Sequence, residues 1–407
     1  MRVLRTLLLA IAVAGMFSCS TYKRYHTVTQ GRTAEKNFTA EFPFEDDGGL
    51  IKIKVAIDGN DYDFMFDSGN DLTMVDEQLL PYIGYKSNNV SGEIVGSSQR
   101  AKINRYITVD EFDIGGVKFE KTGAFSGDMT SLNEALGCGK FHGIIGSNLM
   151  RKAKWQIDYK NKVIRVTGHK GELPQSPNGI TLKMKAKSYG GAKGLVKMGH
   201  VETEFTFDTG FNGDFSANKA VFDAISEREA IPYAVSDGQS NFSVYGANIS
   251  RDYYARIPTF EIGPVELKDQ IIQFGSKSVN LIGNGFFEHF IVTFDWKAKT
   301  LRLDPVADFG REELNGYPYF FGPNYKNNSI EILGSWEGHT GDEKIPFGAK
   351  FISINGHNVR NLTTQELCNF WNTKASEILS DKIDAVILVN GQEKAITLRR
   401  RSLLPKD

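Results

Sequence analysis

Three cysteines and seven histidines in 407 residues are few, and they are scattered rather than grouped at metal-ligand spacing. A metallohydrolase or a Cys/His nucleophile therefore lacks its residues, and neither a metal nor a cofactor is expected. Charge of one sign is missing as well. The 48 Lys and Arg balance 49 Asp and Glu for a net charge of −1, which removes the electrostatic case for nucleic acid. Long apolar runs are absent apart from Leu7 to Phe17, which is shorter than the ~20 residues that cross a bilayer as a helix. Glycine, by contrast, reaches 41, above the usual ~7%. With 28 Phe and 15 Tyr, that balance predicts a turn-rich, mainly β protein, and the length allows two or three domains.

Arg2 and Arg5 precede the short apolar run, and Ser18-Cys19-Ser20 follows it. A basic end, a short apolar stretch and a small residue before the cut describe a secretory signal. The Cys at the cut resembles a bacterial lipobox, with Met16-Phe17 a loose version of its usual start. That resemblance implies a signal segment over 1–19, lipidation of Cys19, and an exported protein anchored by lipid in the bacterial cell envelope. The polar stretch 20–37 reads as a tether. Only Cys138 and Cys368 remain. They fall in different expected domains, and an exported chain could pair them, but nothing in the sequence requires it.

The informative pattern is a repeat. Phe64-Met65-Phe66-Asp67-Ser68-Gly69 returns 141 positions later, counted from Asp67 to Asp208, as Phe205-Thr206-Phe207-Asp208-Thr209-Gly210. Each copy is a β-type apolar run that delivers an Asp, a small hydroxyl residue and a Gly. The downstream sequence repeats too. Gly143-Ile144-Ile145-Gly146-Ser147-Asn148 leads to Trp155-Gln156-Ile157-Asp158, and Asn280-Leu281-Ile282-Gly283-Asn284-Gly285 leads to Val292-Thr293-Phe294-Asp295. The interval from Gly146 to Asp158 equals that from Gly283 to Asp295, 12 positions in each case. Between these landmarks lie Phe112-Asp113-Ile114-Gly115 and Phe260-Glu261-Ile262-Gly263. So many landmarks in one order predict two homologous β domains, over 38–177 and 178–306.

After Asp304-Pro305 the pattern stops. Residues 307–315 are charged and read as a linker. A third unit over 316–407 holds an alternating strand, Asn355-Gly356 as a turn, a helix capped near Thr363, and two strands around Asn390-Gly391.

The repeated part resembles the superfamily of retropepsins and pepsin-like aspartic peptidases, through Asp67-Ser68-Gly69, Asp208-Thr209-Gly210, Ile144-Ile145-Gly146 and Leu281-Ile282-Gly283. The resemblance covers roughly 38–305. It implies a bilobal fold of two retropepsin-like β-barrel lobes in one chain, so that no dimer is needed to complete the site and a monomer is expected. It further implies Asp67 and Asp208 as catalytic residues and Ser68, Gly69, Thr209 and Gly210 as their support. The implied activity is that of an endopeptidase acting on peptide or protein substrate. Glu93 to Ser98 and Ser243 to Asn248 are Gly-containing hairpin candidates at comparable positions and read as flaps, with Val95, Gly96, Tyr245 and Gly246 as the substrate-flap candidates. The third unit resembles a PDZ domain through Ile352-Ser353-Ile354-Asn355-Gly356 and the helix after it, which implies an α+β fold contacting substrate or regulating access. Two departures stand out in the lobes. Asn70 and Phe211 occupy places where the family usually keeps Ala, Ser or Thr, and Asp71 adds a further carboxylate. In the third unit, Gly348-Ala349 stands where many PDZ domains have Gly-Asp.

These residue types suit the chemistry. Two carboxyls about 3 Å apart share one proton, so the charged one activates water while the neutral one protonates the amide carbonyl. The plainer uses of the same residues are Asp-Gly turns and a protease-like scaffold without activity, serving as a peptide-binding envelope lipoprotein. A self-processing protease is a third option. Asp158 and Asp295 read as turn residues, and Trp155, Trp296 and Trp371 as packing residues.

Overall fold

The computed structural model describes residues 21–95, 101–243, 246–310, 313–340 and 344–404. The expected signal segment and Cys19 lie outside these residues. Among the described residues, no helix is long and apolar enough to cross a membrane. Strands dominate, as the composition predicts.

Period-two alternation explains how the strand before Asp67 is held. Asn60–Phe66 sends Phe64 and Phe66 into the main core and Met65 into a second core with Leu72, Met74, Phe125 and Ile144. Both faces are covered, so the strand is an unbroken buried run where it meets Asp67. Each fully buried aromatic or Met of this kind is worth about 1.5–3 kcal/mol. Gly143–Ile145 pairs parallel to this strand, with Ile145 opposite Phe66, and antiparallel to Met74–Asp76, which in turn runs parallel to Val117–Gly127. The second half repeats the order. Val201–Phe207 lies parallel to Leu281–Ile282, with Phe207 opposite Ile282; that strand pairs antiparallel to Phe215–Asn218, which is parallel to Val265–Gly275.

A six-stranded antiparallel sheet joins the halves, and its central pair is Lys154–Asp158 with Phe290–Asp295. Gln156 sits opposite Thr293, and the Gln156 amide donates to the Thr293 hydroxyl at 3.0 Å. These two residues also correspond in the sequence repeat, so the local two-fold relation runs through this pair. Asp158 and Asp295 behave as turn residues. Each side chain accepts from a backbone N–H three positions on, Asn161 and Ala298 respectively, ahead of left-handed Lys162 and Lys299. Trp155 is fully buried, stacked on Phe119.

The stretch 20–37 is not a free tether where it is described. Residues 21–29 are helical, and Arg32–Thr33 pairs with Val117–Gly127. The backbone of Thr27 closes on Gly123, and Lys152 donates to the Thr29 carbonyl at 2.8 Å. Burial pushes that lysine down to about 8. The expected linker is likewise packed. Phe309 lies against Phe215, Phe286 and His289, and Asn315–Gly316 pairs with Arg401–Ser402.

In the C-terminal unit, Asn355-Gly356 and Asn390-Gly391 adopt positive φ at both residues, as a two-residue hairpin turn requires. Thr363 caps the helix Thr364–Asn369 in a full capping box with Glu366. Trp371 packs on this unit's own core. The unit is not a separate bead: its strand Ser329–Trp336 pairs with Tyr233–Ser243 of the second half, so one sheet runs through both. Cys138 and Cys368, left open by the sequence, are joined in a disulfide that ties the unit to the first half.

Candidate active site

The two repeated loops meet. Each Asp ends its strand with its N–H on the neighbouring apolar-Gly strand, Asp67 to the Ile145 carbonyl at 3.0 Å and Asp208 to the Ile282 carbonyl at 2.8 Å. The hydroxyl residues then cross over. The Thr209 hydroxyl accepts from the Ser68 N–H at 2.9 Å and donates to the Phe66 carbonyl at 2.7 Å. The Ser68 hydroxyl accepts from the Thr209 N–H at 3.0 Å and donates to the Phe207 carbonyl at 2.7 Å. Both side chains are buried, so these four bonds are shielded from water.

The glycines permit the approach. A Cβ at Gly69 would stand 2.2 Å from Cγ of Asp208, and one at Gly210 would stand 2.3 Å from Cγ of Asp67. Each glycine therefore faces the carboxyl of the other half, and no side chain fits at either position.

The carboxyls of Asp67 and Asp208 each face the glycine of the opposite loop, close enough that each perturbs the proton affinity of the other. Both are only half-buried by area, yet they are packed on most sides by protein atoms. Desolvation is accordingly the first cause raising both pKa values, and the pair is unequal. Asp67 Oδ1 accepts from the N–H groups of Gly69 and Asn70, each at 2.9 Å, which favours its charged form. Asp208 Oδ1 accepts from Gly210 at 2.8 Å, while in that loop the Phe211 N–H turns to the Asp208 carbonyl instead. With the charge of Asp67 beside it, Asp208 is held well above the usual carboxylate range. The arrangement can keep one proton on Asp208 and the charge on Asp67, although the two titrate as a unit.

Asn70 and Phe211, the departures from the family pattern, act here through the backbone. Their carbonyls accept from the N–H groups of Ser147 and Asn284, both at 2.8 Å. The Phe211 ring covers Gly213 and Gly283 of its own half. Asp71 is paired with Lys187 at 2.8 Å, and its charge adds a further, smaller upward push on Asp67.

Two functional residues escaped the sequence reading. Ser147 donates its hydroxyl to the carbonyl of Ser68, and Asn284 donates its side-chain amide to the carbonyl of Thr209 at 2.9 Å. Each directly follows a support glycine and steadies the residue beside the aspartate. The available signal was a polar residue at the same place in both copies, in an otherwise apolar setting. Of the flap candidates, Val95 ends a strand paired with Ala101, and Gly246 has φ +101 opposite Ser243. Gly96 and Tyr245 lie outside the described residues. Among the described residues no cluster suited to a metal ion occurs.

Residues 53–149 match the aspartyl protease family model. The match contains Asp67-Ser68-Gly69 and Ile144-Ile145-Gly146 and supports a protease-like function at the level of the family. No curated protein matches the chain.

Proposed function

We propose that the chain is an aspartic endopeptidase of two homologous retropepsin-like lobes, which hydrolyses peptide bonds with a water activated between Asp67 and Asp208 in the cleft between the lobes. The observation that carries this reading is the pair of carboxyls brought together by the two repeated loops, each facing the other loop's glycine and steadied by the crossed bonds of Ser68 and Thr209. Asp67, stabilised as an anion by two backbone N–H groups, takes a proton from the attacking water. Asp208 gives its proton to the oxygen of the scissile carbonyl. The C–N bond of the resulting tetrahedral gem-diol then breaks as Asp67 gives its proton to the leaving nitrogen and a gem-diol hydroxyl returns its proton to Asp208, so that one proton is again held by the pair. Ser68, Thr209, Ser147 and Asn284 hold the two loops so that the carboxyls stay in contact, and the hairpins at 85–114 and 233–262 serve as flaps. The C-terminal unit is PDZ-like. The basic and apolar start with Cys19 supports export and lipid anchoring in the cell envelope, and the disulfide suits an oxidising compartment.

The test is cleavage of an unfolded protein by the full chain. Wild type cleaves, and a statine-type mimic of the tetrahedral species inhibits it. Asp67→Asn and Asp208→Asn abolish cleavage while the circular dichroism spectrum stays that of wild type. Wild-type rates in either variant overturn the assignment, and binding of peptide without cleavage by wild type would make the protein a peptide-binding scaffold.

A further inference from the structure

The C-terminal unit meets the second-half hairpin along a strand rather than a loop. Ser236, Asp237 and Gly238 stand opposite Trp336, Ser335 and Gly334, and the Glu337 N–H donates to the Val235 carbonyl at 2.8 Å. The contact is close because both strands carry glycine there. A Cβ at Gly238 would lie 2.3 Å from the Leu333 carbonyl oxygen, and one at Gly334 would lie 2.5 Å from that of Asp237. Trp336 seals the seam with Ala234, Leu403 and Leu404 and meets Tyr254 of the hairpin edge-on at 4.9 Å. Arg251, on the hairpin, pairs with Asp237 of its own hairpin and with Glu337 across the seam. A second attachment joins the unit to the first half. The disulfide from Cys368 reaches Cys138, just past the first-half helix Thr130–Leu136, where the Tyr325 ring covers Gly137 and Lys326 pairs with Glu134. That helix also runs beside the hairpin strands Tyr233–Ser243 and Gly246–Ile262.

We propose that the C-terminal unit is a brace that positions the 233–262 hairpin for substrate. It is zipped to the hairpin along one strand and fastened to the opposite half through Cys138–Cys368, so it sets the span between a flap and the first half. The proposal rests on the reading of that hairpin as a flap. Trp336 and the disulfide are positioning groups, since neither touches the carboxyl pair.

Full-length Trp336→Ala and the double variant Cys138→Ser/Cys368→Ser test it in two ways. Hydrogen exchange needs no activity. We expect residues 233–243 to exchange roughly tenfold faster in each variant, with 60–66 and 201–207 unchanged. In turnover, KM rises roughly tenfold while kcat stays within about twofold and the limbs of the pH profile do not move, because the carboxyl pair is intact. A role confined to stability would lower the melting temperature and leave KM alone. Unchanged exchange over 233–243 in both folded variants overturns the brace, as does an unchanged KM. If wild type shows no turnover, the endopeptidase reading fails and the exchange result alone decides the brace.

Discussion

Replacing Thr209 with Val removes a hydroxyl at nearly constant volume, and the structure states what is lost. The Ser68 N–H loses its acceptor on the opposite half, and the Phe66 carbonyl loses a donor. Both sit beside residues that water does not reach, since Ser68 is 1% and Thr209 0% exposed. Leaving a buried donor unmade costs about 1–3 kcal/mol, and the second bond is worth about 1 kcal/mol net. The sum, roughly 2–4 kcal/mol, is a large share of the ~5–15 kcal/mol that holds a typical domain. For a cooperative unit of ~150–250 residues it lowers the melting temperature by roughly 4–16 °C. Thr209→Ser is the control, because it keeps both bonds and loses only a methyl group. Calorimetry on the three proteins gives the answer. A fall of less than about 0.5 kcal/mol in Thr209→Val, or an equal fall in Thr209→Ser, refutes the hydrogen-bond account.

The remaining expectations concern the carboxyls. Asp208 has a folded pKa raised above its ordinary value of 3.8, so folding favours its protonated form. Its contribution is therefore fully favourable below about pH 4 and is lost as pH rises toward the folded value. Asp208→Asn removes that penalty; denaturant titrations should show the inactive variant more stable than wild type at neutral pH, with the difference closing in acid. Equal stability at pH 7 contradicts the raised value. The charge of Asp71 pushes Asp67 upward, so Asp71→Asn should move the acid limb of the pH–rate profile to lower pH, and a move to higher pH contradicts the direction. Loss of the exposed Asp71–Lys187 pair itself should cost no more than about 1 kcal/mol.

Much of this site could be read before the structure. Asp-hydroxyl-Gly and the apolar-Gly element are each a short motif, and both repeat in the same order, so chain order alone pairs them. Asn-Gly turns and the Thr363 cap are likewise fixed by their own few residues. What escaped depends on distant partners. Residues 21–29 show no helical apolar period; they are held by Gly123 and Lys152, about a hundred positions away. Gly238 and Gly334 look like ordinary loop glycines until two strands are brought edge to edge. Pairing of Cys138 with Cys368 depends on that same docking. Ser147 and Asn284 differ in kind, which hid their shared role from a search for identical residues.

The central pairing of Gln156 with Thr293 marks an axis whose two sides are spelled by different stretches of one chain. Two identical subunits meeting about such an axis would have to change both aspartate loops at once. Here a single codon alters one side only. Asn70 gives its N–H to one carboxyl while Phe211 turns its own to a backbone carbonyl, so the surroundings of the two carboxyls are inherited, and open to selection, one loop at a time.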